Sequence, residues 1–209
     1  MFQRIKLLLD TALMFFMAVV VRGGYKQALI VVDMQNDFVD KDKGTLSRAA
    51  HGLCIWVMNL IIRIAEYFGW MVIFTRDWHP DKTSHFDKWP AHCVAGTWGA
   101  MFYPSLYIPP MAFRVSKGMG NGEDAYSGFD GKTDEGITLL DLLESHHINT
   151  VYVMGAYLDY CVKETCKSAK SNFFVTYLIS FATCPVNFFT PEDGNKALVE
   201  LNLLGVKII

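Results

Sequence analysis

VYVMGAYLDYCVKETCKSA, residues 151–169, decides how this chain is built. Val151 to Gly155 is an apolar run without polar alternation, the pattern of a strand buried on both faces. CVKETCKSA then turns helical, so Cys161 falls at a strand-to-helix turn. The first amides of a helix lack intrahelical acceptors and carry partial positive charge. A thiol placed there is drawn toward the thiolate, which makes Cys161 a candidate nucleophile.

The same alternation extends in both directions. ALIVV (28–32), MVIFT (71–75), AFRVS (112–116), FFVTYLI (173–179) and VKII (206–209) read as further strands. Residues 48–68, 138–145, 161–171 and 191–204 carry helical signals. Gly69 closes the first of these helices, and Pro191, capped by Thr190, opens the last. This order predicts an α/β fold of three layers, Rossmann-like, with a parallel sheet of about six strands and helices on both faces. Ligands in such folds bind beyond the carboxyl ends of the strands. Asp33 stands just past the first strand, Asp77 and His79 past the second, Lys117 past the third and Cys161 past the fourth.

Composition narrows the classes. With 52% hydrophobic and 19% charged residues, the 209-residue chain is no disordered polymer. A net charge of −2 and the lack of any basic run leave no electrostatic footprint for nucleic acid. Five cysteines without a CxxC pair argue against a thiolate zinc site and for a reduced, cytoplasmic setting. One domain is expected over 26–209, preceded by a hydrophobic extension, 1–25. Within that extension Thr11–Val21 is too short to span a bilayer, so a helix packed on the domain or on a partner subunit is expected ahead of membrane contact. That apolar extension, together with Cys54, Ile55 and Trp56 on the helix over 48–68, suggests a homo-oligomer or a membrane contact, the homo-oligomer being expected first.

The strand-end residues suggest a chemistry. Asp33 reads as a general base for the thiol, and Lys117 as the cation that lowers the thiol pKa and keeps Asp33 ionised. Asp77-x-His79 sets two metal-competent side chains on one side of an extended segment, and His92 offers a third. One carboxylate and two imidazoles suit zinc, iron or manganese. His51, His85, His146 and His147 read as surface residues, and Trp78 as core. Phe38, Trp89, Tyr126 and Tyr157 lie close in sequence to the reactive groups and suggest a pocket for a flat aromatic ligand.

The blocks IVVDMQNDF, FTRDWHP, WPAHCVAGTWGA, VSKG with EDAYSGF, and LDYCVKETCKSA run in order through residues 28–169. Together they resemble the isochorismatase-like cysteine hydrolases, in their nicotinamidase (pyrazinamidase) branch. The resemblance implies hydrolysis of nicotinamide to nicotinic acid and ammonia, a step in NAD salvage. It implies that Cys161 attacks the carboxamide carbon, that Asp33 shuttles the proton and that Lys117 supports the pair. It also implies a divalent metal on Asp77, His79 and His92, with zinc expected first. Phe38 and Trp89 would sandwich a pyridine ring. Backbone N–H groups of Tyr157 and Cys161 would form an oxyanion hole, beside a non-proline cis peptide that precedes Tyr157. The chain departs from the branch at Tyr157, where a small residue is usual. Another small amide or a ureido compound is therefore the alternative substrate. A non-catalytic, membrane-associated homologue is the third reading, motivated by the hydrophobic N-terminus.

Overall fold

The computed structural model describes residues 26–47, 51–122 and 124–209. Strand β1 (Gln27–Val32) is buried at every position, in keeping with the apolar run Ala28–Val32. A short helix, α1 (Asn36–Val39), follows, and then a long one, α2 (His51–Tyr67). Strands β2 (Met71–Asp77) and β3 (Phe113–Lys117) are separated by the Pro-, Trp- and His-rich segment, which contains one 3-10 turn at Ser84–Asp87. Helix α3 (Leu139–Ser145) is capped by Thr138, whose hydroxyl accepts from the Asp141 amide. Strand β4 (Thr150–Ala156), helix α4 (Lys163–Ser171), strand β5 (Val175–Cys184), helix α5 (Asp193–Leu203) and strand β6 (Lys207–Ile208) complete the chain.

The six strands form one sheet in the order β3-β2-β1-β4-β5-β6, and every pairing is parallel. The core is split by the sheet. On one face Met58, Ile61, Ile62 and Ala65 of α2 pack with Phe74 and Tyr152; on the other Leu139, Leu143, Val162, Cys166 and Leu201 pack with Ile30 and Val153. Gly155 is required where β4 passes β1: its φ is +136°, and a Cβ there would stand 2.2 Å from the Val32 carbonyl oxygen.

Some expectations need correction. Helix α4 starts at Lys163, because Leu158–Val162 forms a wider turn broken by non-helical angles at Tyr160. Cys161 therefore lies in that turn, two residues before the regular helix. Helix α5 starts at Asp193 rather than Pro191; Asp193 accepts from the amides of Phe189 and Thr190 and closes the preceding turn. The apolar face expected at Ile55 and Trp56 is divided, since Ile55 is buried in the core and only Trp56 is exposed, at 62%. Trp78 packs against the core from a half-buried position, with the Arg76 guanidinium 3.9 Å above its ring. No helix among the described residues is long and apolar enough to cross a membrane. Everything expected of residues 1–25 and of the Cys54 side chain lies outside the described residues.

Candidate active site

The chain leaves β1 toward β2 and β3, then returns to the opposite side of β1 as β4. The crevice where the direction of winding reverses opens between the carboxyl ends of β1 and β4. Asp33 emerges from the first and Cys161 from the turn after the second. Asp33 sits in the left-handed region, with φ 49°. Its amide donates to the Thr75 carbonyl at 3.2 Å, and its Oδ1 accepts from Thr75 Oγ1 at 2.6 Å. A strained backbone held at both ends by the neighbouring strand fixes where the carboxylate points.

Lys117 is the last residue of β3 and is fully buried. Its Nζ lies 2.8 Å from Asp33 Oδ2, donates to Cys161 Sγ at 3.6 Å and also donates to Asp77 Oδ1. Asp33, Lys117 and Cys161 thus come together. Gln35, which sequence reasoning passed over, holds Asp77 in place. Its side chain accepts from the Asp77 amide and donates to the Asp77 carbonyl, both at 2.7 Å. Its position, two residues after Asp33, was the available signal.

Asp77, His79 and His92 also converge. Asp77 Oδ2 lies 3.8 Å from His79 Nε2 and 3.9 Å from His92 Nε2. His85, expected on the surface, is 3% exposed and stacks on His79 with ring centroids 4.6 Å apart. The correction has a local cause: Thr83 caps the 3-10 turn by accepting from the His85 amide, which swings the imidazole inward. That T-S-H-F sequence, read as a cap and first turn, was the missed signal.

The tautomers follow from the partners. Nδ1 of His79 donates to the Gly118 carbonyl at 3.0 Å, Nδ1 of His92 to the Pro90 carbonyl at 2.8 Å, and Nδ1 of His85 to Asp124 Oδ1 at 3.0 Å. Carbonyls and carboxylates only accept, so each Nδ1 carries the proton and each Nε2 keeps its lone pair. Gly118, with φ +66°, permits the close approach, because a Cβ there would meet the His79 ring at 2.4 Å. Nε2 of His79 is buried without a hydrogen-bond partner, a costly state for a polar atom unless something binds it. Ligand atoms of His79, His85 and His92 lie within 4.8 Å of one another. Lone pairs aimed inward and protons tied down outside fit a divalent cation.

Phe38, Trp89, Tyr126 and Tyr157 line a single pocket beside Cys161. Trp89 Nε1 donates to Tyr126 Oη at 3.0 Å, and its ring meets those of Tyr160 and Phe188 edge-on. Asp159 accepts the amides of Val186 and Asn187, each at 2.8 Å, and so holds the segment bearing Phe188 over the pocket. The Ala156–Tyr157 peptide is cis. The Tyr157 carbonyl accepts from the Tyr160 and Val162 amides at 3.1 Å, wrapping the turn around that residue.

A family model for the isochorismatase domain matches residues 27–209. The chain belongs to the isochorismatase family. A nicotinamidase/pyrazinamidase from Mycobacterium tuberculosis is 34% identical over 186 residues, covering 84% of this chain and 97% of that protein. Pyrazinamidase of Pyrococcus horikoshii, solved in complex with zinc, superposes with a TM-score of 0.79 at 36% identity, covering 88% of this chain and 98% of that one. A protein from L. infantum, solved in complex with nicotinate, gives a TM-score of 0.78 at 28% identity, covering 90% and 93%.

In this isochorismatase-family site Lys117 lowers the thiol pKa but does not outweigh burial. Burial pushes Cys161 well above the usual thiol range; Lys117 opposes this, and Asp33 and Asp77 add to it. Burial also raises Asp33 from its usual range, more than Lys117 lowers it. For Asp77 burial acts upward, but Lys117 and the histidines outweigh it and hold the carboxylate well below its usual range. Lys117 itself is driven up by Asp33, Asp77 and Cys161 against the effect of burial. One cation thus faces three acids, and the thiol keeps its proton until a base takes it. Burial lowers His92 to about 4, which leaves its ring neutral and able to donate electron density at neutral pH.

Proposed function

We propose that this isochorismatase-family protein is a nicotinamidase, hydrolysing nicotinamide to nicotinic acid and ammonia. The observation that carries the reading is Lys117 Nζ standing 2.8 Å from Asp33 and 3.6 Å from Cys161 Sγ, beside an aromatic-lined pocket. The relatives named nicotinamidase or pyrazinamidase, and the one holding nicotinate, supply the substrate class. The product acid feeds pyridine-nucleotide salvage.

In this reading Asp33 takes the thiol proton as Cys161 Sγ attacks the carboxamide carbon. Transferring that proton at the moment of attack suits a thiol whose burial disfavours a standing thiolate. Backbone amides of Tyr157 and Cys161 receive the developing oxyanion. Asp33 then hands the proton to the departing nitrogen, the carbon–nitrogen bond breaks, and ammonia leaves a thioester on Cys161. Water, deprotonated by Asp33, adds to the thioester; the carbon–sulfur bond breaks, nicotinic acid forms and the thiol recovers its proton. Lys117 keeps the two acids in register throughout. Phe38 and Trp89 flank the ring. Asp77, His79, His85 and His92 hold a divalent cation, zinc in the first place, because imidazole and carboxylate donors suit it. When bound, such an ion orders the polar end of the pocket and offers a Lewis-acid partner to a ring nitrogen.

The test is ammonia release from nicotinamide by the zinc-supplied protein, with Cys161→Ala as control. Turnover abolished in the variant supports the reading. A wild type inactive with zinc, iron and manganese each supplied rejects it.

A further inference from the structure

Tyr157 makes contacts that the reaction does not use. Its side chain is 6% exposed and forms part of the pocket wall. Its hydroxyl donates to the Phe38 carbonyl at 2.5 Å and stands 3.1 Å from the Leu46 carbonyl. Its ring meets the Phe38 ring edge-on, with centroids 5.8 Å apart. The phenol therefore joins two parts of the chain far apart in sequence that both line the pocket: the turn that carries Cys161, and the segment from Phe38 to Leu46.

That loop is tied at its other end by Asp37. Asp37 Oδ2 accepts the Cys93 amide at 2.7 Å, and Oδ1 accepts the Thr45 amide and hydroxyl, each at 3.2 Å. Cys93 adjoins His92, and the Phe38 ring lies 5.4 Å from the His92 imidazole. Phe38 is thus fixed from the metal-ligand side by Asp37 and from the nucleophile side by Tyr157. The space left for a substrate ring is what remains between these two ties.

We propose that Tyr157 is a specificity-determining residue. It closes one end of the pocket with its ring and holds Phe38 in place with its hydroxyl, so that the site admits an unsubstituted six-membered heteroaromatic carboxamide and rejects one enlarged toward the phenol. The inference rests on the amide-hydrolase reading above. The two functions separate by substitution. Tyr157→Phe keeps the ring and loses the tie. Tyr157→Ala loses both and leaves a void facing the substrate.

The experiment measures kcat and KM for nicotinamide and for nicotinamides methylated at each ring carbon in turn. It uses the zinc-supplied wild type, Tyr157→Phe and Tyr157→Ala. One methyl in an apolar pocket is worth roughly 10- to 200-fold in selectivity. The wild type is expected to reject at least one methylated amide by a factor of that size. Tyr157→Ala is expected to recover that amide, relative to nicotinamide, by about tenfold or more. Tyr157→Phe is expected to keep the wild-type order while raising KM more than it lowers kcat, because Phe38 loses its tether but no reacting group is touched. Should Tyr157→Ala fail to fold, Tyr157→Leu, which also shortens the side chain, is read by the same criteria. The proposal is overturned if the wild type accepts every methylated amide as well as nicotinamide. It is equally overturned if the shortened variant keeps the wild-type ratios. A wild type that hydrolyses none of the amides overturns the nicotinamidase reading, and this proposal with it.

Discussion

Lys117 donates to Asp77 as well as to Asp33, so one buried ammonium joins the candidate nucleophile's base to the candidate metal ligands. Replacing it by Met leaves two carboxylates facing each other out of water. Breaking a buried pair in this way costs about 3–5 kcal/mol. Urea denaturation of Lys117→Met should show a loss of that order, together with loss of turnover. An unchanged midpoint would mean that Lys117 carries no structural charge.

His85 is expected to bind the cation directly. In His85→Ala, zinc affinity measured by competition with a chromophoric chelator should drop by more than it does in Asp124→Asn. The latter leaves the imidazole in place and removes the charge of the carboxylate that His85 Nδ1 shares with Lys88, a change behind a ligand that usually costs about 10- to 100-fold. Equal affinities in His85→Ala and wild type would remove His85 from the ligand set.

Cys161 should alkylate as a thiol, not as a standing thiolate. Burial, only partly offset by Lys117, lifts its pKa well above the ordinary 9.0. A raised pKa means less thiolate at any given pH. Iodoacetamide labelling, read against Cys161→Ala, should therefore keep accelerating through pH ~9 without reaching a plateau. The linkage has the same sign: a thiol raised on folding lends stability below its unfolded pKa and withdraws it as pH rises through the folded value. Burial raises Cys93 and Cys166 too, so thermal stability should fall on the alkaline side first from these groups. A labelling plateau near pH 7 would contradict the charge arrangement.

Asp159→Ala removes the acceptor of the Val186 and Asn187 amides. Leaving such groups unpaired costs about 1–3 kcal/mol. The segment that places Phe188 against Trp89 should loosen, raising KM for nicotinamide more than it lowers kcat. A kcat loss at constant KM would instead point to a disturbed Cys161 turn.

Much of this was legible from residues. Continuous apolar strands and the residue just past each one are local properties, so the parallel sheet and the convergence of Asp33, Asp77, His79, Lys117 and Cys161 could be read one segment at a time. His85 was not legible, because its burial depends on Thr83 capping a single short turn and on Asp124 arriving from a segment 39 residues away. The thiol's pKa was misjudged for a related reason. Lys117 does lower the thiol, but its charge is shared with Asp33 and Asp77 and is outweighed by burial, and both appear only in three dimensions. Tyr157 stood out as unusual in sequence, yet its partners, Phe38 and Leu46, lie 119 and 111 residues away.

The reversal of winding between β1 and β4 divides labour in this molecule. In the proposed reaction, residues at and just past the ends of β1 to β4 carry the chemistry, while the segments at 38–46 and 185–189 supply part of the pocket wall. Such an arrangement lets substrate preference drift without disturbing chemistry, since an insertion or exchange in either loop reshapes the cavity and leaves the strand ends where they are. The two loops are the places where a new activity could be grafted onto an inherited reaction centre.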